Sequence, residues 1–132
     1  MDNKSMNIIL TGSAGFIGAP LAYDLLNMGH KVIGIDNYIN SNPEKTLKLE
    51  INFKNKFKFF ELDISSNLAT LDSVFNEYKP DLVIHLAALK SVQESVVNPD
   101  LYVENNLKST RNIITVMKLH GCKKIIYSSS AA

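Results

Sequence analysis

Three glycines, Gly12, Gly15 and Gly18, stand three apart in the run Thr11-Gly12-Ser13-Ala14-Gly15-Phe16-Ile17-Gly18. A short apolar stretch, Asn7-Ile8-Ile9-Leu10, precedes them, and a helical pattern follows. In that setting each glycine has a physical task. Gly12 permits a tight turn out of a strand. Gly15 removes a side chain where a pyrophosphate must approach the backbone. Gly18 lets the helix sit close to the sheet. The amides around Gly15, Phe16 and Ile17, at the helix start, then face the anion. A glycine trio alone is a weak signal, and a purely structural turn is the alternative. The strand–turn–helix context favours phosphate binding.

Asp36 closes the next apolar run, about 20 residues beyond the glycines, where a carboxylate accepts hydrogen bonds from both hydroxyls of an adenosine ribose. It would repel a 2′-phosphate, and no arginine stands nearby to welcome one. NAD is therefore expected rather than NADP; the bland alternative is an acid that caps a strand end. Asp63 follows the third apolar run, where an adenine amino group would lie, and spacing alone leaves a loop-turn acid nearly as good a reading. Lys90, in Ala87-Ala88-Leu89-Lys90, could meet a ribose hydroxyl or phosphate, although alone it reads better as a solvated lysine. Ser128, Ser129 and Ser130 end the last apolar run, where a serine could hydrogen-bond a substrate hydroxyl. Alone they read as a polar loop.

The other candidates carry less. His30 falls in a loop, His85 on a buried strand and His120 at a helix end, and their spacing with Cys122 suggests no metal site. Cys122 reads as a small, part-buried residue before a strand. Phe57, Phe59 and Phe60 read as core, because no basic groove accompanies them.

Elements must exist to hold these residues. Apolar strands are expected over 7–10, 31–35, 57–62, 82–86 and 124–128. Ile17, Leu21 and Leu25 mark one helix, ended by Gly29. A second, poorly patterned one starts at Pro43, with Asn42 as candidate N-cap. Leu68, Leu71, Val74, Phe75 and Tyr78 mark a third. The fourth starts at Pro99 and buries Leu107, Thr110, Ile113, Ile114 and Met117. Apolar strands alternating with helices mean a parallel sheet covered on both faces. Right-handed crossovers put helices on both faces only if the strand order reverses once. The expected fold is therefore α/β, a Rossmann-type doubly wound sheet of order 3-2-1-4-5.

The chain has 132 residues, which suits one domain spanning 1–132. Lys plus Arg is 14 against 13 for Asp plus Glu, so no basic nucleic-acid footprint is expected. No apolar run is long enough to span a bilayer. The single cysteine fits a reducing, cytoplasmic setting.

Four blocks resemble the N-terminal part of the UDP-glucose 4-epimerases, which are extended short-chain dehydrogenase/reductases. They are TGSAGFIG at Thr11–Gly18, DNYINS at Asp36–Ser41, HLAALKSVQESVVNPDLYVENN at His85–Asn106 and YSSSAA at Tyr127–Ala132. The third is the specific one. The resemblance implies that Asp36, Asn37, Asn40 and Ser41 surround the adenosine ribose and nearby phosphate. Asp63 and Ile64 would hold the adenine. Ala87, Ala88 and Lys90 would lie along the pyrophosphate and nicotinamide ribose. Asn105 would line the cleft, and Ser130 would bond the reacting sugar hydroxyl as the catalytic serine, with Ser128 beside the cofactor. Ala88 and Ser109 stand where the family often has glycine, and both are small.

The resemblance also implies a chemistry. A tyrosine, its pKa lowered by a lysine and the cofactor's charge, removes the proton of the sugar C4 hydroxyl. Hydride passes to NAD, and the 4-keto sugar turns and takes it back on its other face. The family's Tyr-x-x-x-Lys pair lies beyond the serine, and none of Tyr23, Tyr38, Tyr78, Tyr102 and Tyr127 has lysine four positions on. The chain alone is therefore expected to lack epimerase activity, with the sheet ending after its fifth strand and the substrate domain absent. Uncovered apolar surface on the last helix and strand would favour a homo-oligomer. Two other readings stay open: a stand-alone NAD-binding module, and part of another nucleotide-sugar epimerase or dehydratase.

Overall fold

The computed structural model describes residues 5–37, 43–86 and 99–128. In chain order the elements are β1 (Asn7–Thr11), α1 (Gly18–Asn27), β2 (Lys31–Asp36), α2 (Pro43–Asn52), β3 (Phe57–Glu61), α3 (Leu68–Tyr78), β4 (Leu82–His85), α4 (Pro99–Leu119) and β5 (Ile125–Tyr127). All four strand pairings are parallel, and the order is β3-β2-β1-β4-β5, as expected from the sequence. The order reverses between β1 and β4, so a crevice opens at their C-terminal ends.

Strand alternation splits the core into two layers. Ile9, Ile33, Ile35 and Val83 face α3 and α4, where Leu71, Val74, Phe75, Ile113, Val116 and Met117 complete one cluster. Ile8, Leu10, Val32 and Ile84 face α1 and α2, where Ala22, Leu26 and Leu49 complete the other. The weakly patterned α2 buries only Thr46 and Leu49. Its expected N-cap, Asn42, lies outside the described residues.

Two expected helix faces are corrected. On α1 the buried residues are Gly18, Ala19, Ala22 and Leu26, not the stripe Ile17, Leu21 and Leu25. Ile17 is exposed, and Leu21 and Leu25 flank the cluster. Small residues, Gly18, Ala19 and Ala22, make up the buried side of the helix's first turns. On α4, Ile113, Val116 and Met117 are buried, whereas Leu107 and Ile114 are 57% and 40% exposed. Val116 completes a 3–4 spaced face against α3, and Leu107 and Ile114, two turns apart, form a separate uncovered stripe. The three residues of β5 are exposed too. The last described helix and strand thus carry open apolar surface.

Gly34, inside β2, has no room for a side chain. A Cβ there would lie 2.5 Å from Ser13 Oγ, 2.9 Å from Ser13 Cβ and 3.1 Å from the Phe57 ring. Ser13 is buried, and its hydroxyl has no hydrogen-bond partner among the described residues. The serine fills space that a β2 side chain would otherwise take. Gly34→Ala is expected to cost about 2 kcal/mol by overpacking. In a Ser13→Gly background most of that cost should vanish, because the remaining neighbour is a ring that can tilt. Urea denaturation of the parent, the two single variants and the double variant checks this. A coupling below about 0.5 kcal/mol would show that the two residues do not compete for one space.

Candidate dinucleotide site

The turn after β1 is built from backbone. Gly12 has φ of +72°, and its N–H donates to the Ile35 carbonyl at 2.8 Å. That bond pins the turn to the end of β2. The Gly15 N–H donates to the Gly12 carbonyl at 3.1 Å, and the Ala19 N–H donates to the Gly15 carbonyl. Gly15 therefore spends its amide inside the turn. The N–H groups of Phe16 and Ile17 donate to no backbone carbonyl among the described residues and are the amides left at the helix mouth. Their side chains are 89% and 54% exposed, a large apolar surface beside a polar turn.

Gly18 acts on the turn itself rather than on the sheet. A Cβ there would fall 1.9 Å from the Gly12 carbonyl oxygen and 2.7 Å from its carbon. A Cβ on Gly12 would meet the Leu86 backbone at 3.1 Å, across the β1–β4 crevice. Every glycine of the trio thus leaves room for backbone, and the turn is a cradle that a side chain would fill.

Asp36 ends β2 beside this turn. Its Oδ2 accepts the Ala14 N–H at 2.9 Å, so the carboxylate also holds the glycine turn in place. Nothing in the sequence pattern announced this second task. Asn37 follows directly. Asp63 accepts the Ser65 N–H and hydroxyl on Oδ1 at 3.0 and 2.7 Å, which organises its own turn. Ile64 buries its side chain in the core, and its carbonyl accepts from Asn112 Nδ2 at 2.7 Å. Asn105 is half-buried on α4. Ser128 follows β5, and its N–H donates to the His85 carbonyl at 3.3 Å. Asn40, Ser41, Ala87, Ala88, Lys90 and Ser130 lie outside the described residues.

A row of side chains under the crevice escaped the motif reading. Thr11, His85 and Tyr127 are in register across β1, β4 and β5. Thr11 Oγ1 accepts the Leu86 N–H at 2.8 Å and lies 2.8 Å from His85 Nδ1. His85 Nε2 sits 3.4 Å from Thr110 Oγ1 of α4. A neutral ring has one donor and one acceptor, so one of the two threonine hydroxyls donates to the ring and the other accepts from it. The Tyr127 ring lies 5.6 Å from the imidazole. His85 thereby joins the start of the glycine turn, the end of β4 and α4.

Burial pushes the His85 pKa down to about 4. The folded state then binds fewer protons than the unfolded one between pH 6.5 and 4. The stability His85 confers is complete above pH 6.5, falls as the pH drops through that window and stops falling below pH 4. About 2 kcal/mol should be gone by pH 5. A His85→Gln variant lacks this slope. Denaturant titrations of both proteins at pH 7 and 5 should show their stability gap closing as the pH falls. A constant gap would mean that the ring charges freely in the fold.

No cluster of His, Cys, Asp and Glu could hold a metal ion among the described residues. No described helix is long and apolar enough to cross a membrane.

A parallel sheet that reverses at β1/β4, with a glycine cradle and a strand-end acid at the reversal, defines a dinucleotide-binding α/β fold. Residues 8–132 match the model of the NAD dependent epimerase/dehydratase family, and the chain belongs to that family. It is 44% identical over 131 residues to the UDP-glucose 4-epimerase of Pisum sativum, covering 97% of this chain and 37% of that protein. It is 40% identical over 126 residues to the UDP-glucose 4-epimerase of Bacillus subtilis, with 96% and 37% covered. The crystal structure of the UDP-glucose 4-epimerase of Bifidobacterium longum in complex with NAD+ and UDP superposes with a TM-score of 0.86. There the identity is 44%, over 95% of this chain and 37% of that one. The enzyme of Brucella ovis in complex with NAD gives a TM-score of 0.82 at 31% identity, over 96% of this chain and 36% of that one. The chain is thus homologous to the N-terminal part of UDP-glucose 4-epimerases and spans little more than a third of their length.

Proposed function

We propose that this chain is the NAD-holding part of a UDP-glucose 4-epimerase. The observation that carries the reading is the closed glycine turn, tied by its Ala14 amide to the Asp36 carboxylate at the reversal of the sheet. The residues present fit the cofactor. Phe16 and Ile17 amides meet the pyrophosphate at the α1 mouth, and Gly12, Gly15 and Gly18 clear its path. Asp36, Asn37, Asn40 and Ser41 take the adenosine ribose and nearby phosphate. Asp63 and Ile64 take the adenine, and Ala87, Ala88, Lys90, Asn105 and Ser128 line the nicotinamide side. When bound, NAD supplies the hydride acceptor and donor that an epimerisation through a 4-keto sugar needs. Ser130 holds the reacting hydroxyl of a UDP-sugar. Leu107, Ile114 and the β5 residues supply apolar surface for a homo-oligomer. Its setting is the cytoplasm, in galactose metabolism.

Isothermal titration of the chain with NAD, and separately with NADP, tests the cofactor reading. NAD should bind, and NADP should bind at least about tenfold more weakly, because a 2′-phosphate would face the Asp36 carboxylate. Equal binding of both would remove Asp36 from the ribose site. Absence of binding would reject this chain as a self-sufficient NAD site. An assay of UDP-galactose turnover with NAD present should be blank, since the chain has no Tyr-x-x-x-Lys pair.

A further inference from the structure

A groove of about 250 Å³ runs between α1 and α2. Ala19, Pro20 and Tyr23 form its α1 wall, and Lys45, Lys48, Leu49 and Asn52 form the other. Small residues on α1 leave the space open. Tyr23 packs edge-on against Phe53, ring centroids 6.0 Å apart, and stays half exposed at the groove. Leu49 is buried and contributes an apolar surface. Lys45 and Lys48 are one turn apart on the same helix face, both exposed. Neither forms an ion pair with an acid among the described residues. Lys45 and Lys48 stand on one wall beside a tyrosine, a proline ring and a leucine, so two cationic side chains border a largely apolar recess. Its volume is below the usual range for drug-sized ligands, which begins at about 300 Å³. A single ring with one charged substituent fits it.

We propose that this groove is a second small-molecule site, for an aromatic anion that places its ring on Tyr23 and Leu49 and its phosphate or carboxylate between Lys45 and Lys48. One wall of the groove is joined to the glycine turn, since the Ala19 N–H bonds to the Gly15 carbonyl. An occupant would therefore press on the helix whose mouth faces the crevice. The proposal does not depend on the dinucleotide reading.

Phenyl phosphate is the probe, followed by amide chemical shifts of the whole chain. Saturable shifts are expected at Ala19, Tyr23, Lys48 and Asn52. Benzyl alcohol and inorganic phosphate, each carrying half of the chemistry, should bind at least about tenfold more weakly. Lys45→Glu/Lys48→Glu should weaken phenyl phosphate by about tenfold or more, whereas Lys58→Glu on the edge strand should leave it unchanged. Lys45→Gln/Lys48→Gln serves if the charge reversal fails to fold. Shifts confined to residues 12–17 would mean that the probe takes the glycine turn and would overturn the proposal. So would shifts indifferent to the lysines, or none that saturate. Addition of NAD to the same samples reports separately on Phe16 and Ile17, so failure of one reading is visible without the other.

Discussion

Gly18→Ala should disable the glycine turn and destabilise the chain by more than about 3 kcal/mol, above the usual cost of overpacking. A Cβ at Gly18 would meet the Gly12 carbonyl oxygen at 1.9 Å and the Ser13 Cα at 3.0 Å, both backbone atoms that cannot rotate away. Relief would require the turn to leave the end of β2, breaking the Gly12 N–H bond to the Ile35 carbonyl. Gly15→Ala is the informative companion. Its Cβ would touch only the Gly12 carbonyl oxygen, at 3.3 Å, so stability should change by less than about 1 kcal/mol. Yet that methyl group would stand in the proposed path of the pyrophosphate, and NAD affinity should fall by about 100-fold or more. Urea denaturation and NAD titration of the two variants should therefore give opposite profiles. If Gly15→Ala binds NAD as the parent does, the anion does not sit over the turn.

Asp36→Ala should lower NAD affinity by about 100-fold. Two hydrogen bonds from ribose hydroxyls to a carboxylate are worth on the order of 3 kcal/mol together. The preference for NAD over NADP should shrink at the same time, because the carboxylate no longer repels a 2′-phosphate. Asp36→Ala also removes the acceptor of the Ala14 amide, so it loosens the turn as well as the ribose pocket. Asp36→Asn separates the two effects. Its amide oxygen can still accept from Ala14 while the charge is gone. NADP discrimination should then fall with little loss of stability, and NAD affinity should lie between the parent and Asp36→Ala. Discrimination that survives in Asp36→Asn would assign selectivity to the shape of the pocket rather than to charge.

The sheet was legible because its strands are short, nearly pure apolar runs bounded by glycine, proline or charge. Ile8-Ile9-Leu10, Val32-Ile33 and Val83-Ile84 are buried on both faces, and that requirement is written in composition. Helix faces were less legible. On α1 the pattern pointed to Leu21 and Leu25, whereas the buried positions are Gly18, Ala19, Ala22 and Leu26. On α4 it pointed to Leu107 and Ile114, which α3 does not reach. Periodicity shows that a helix has an apolar side, but not which part of that side a neighbour covers.

The sequence by itself determined the alternation of strands and helices, their parallel order, the glycine cradle and the strand-end acid. Each depends on backbone freedom, charge or a short apolar run, all local properties of the chain. Tertiary structure alone decided that Asp36 holds Ala14, that Gly34 yields its space to Ser13, and that His85 ties Thr11 to Thr110. Those contacts join residues 21 to 74 positions apart or bridge separate elements. An isolated glycine in a strand was a hint of close approach, but its partner could not be named until the turn folded back over it. A buried histidine likewise says nothing of its partners until strand register sets Thr11 beside it. Distance in space, which no spacing along the chain encodes, made the difference.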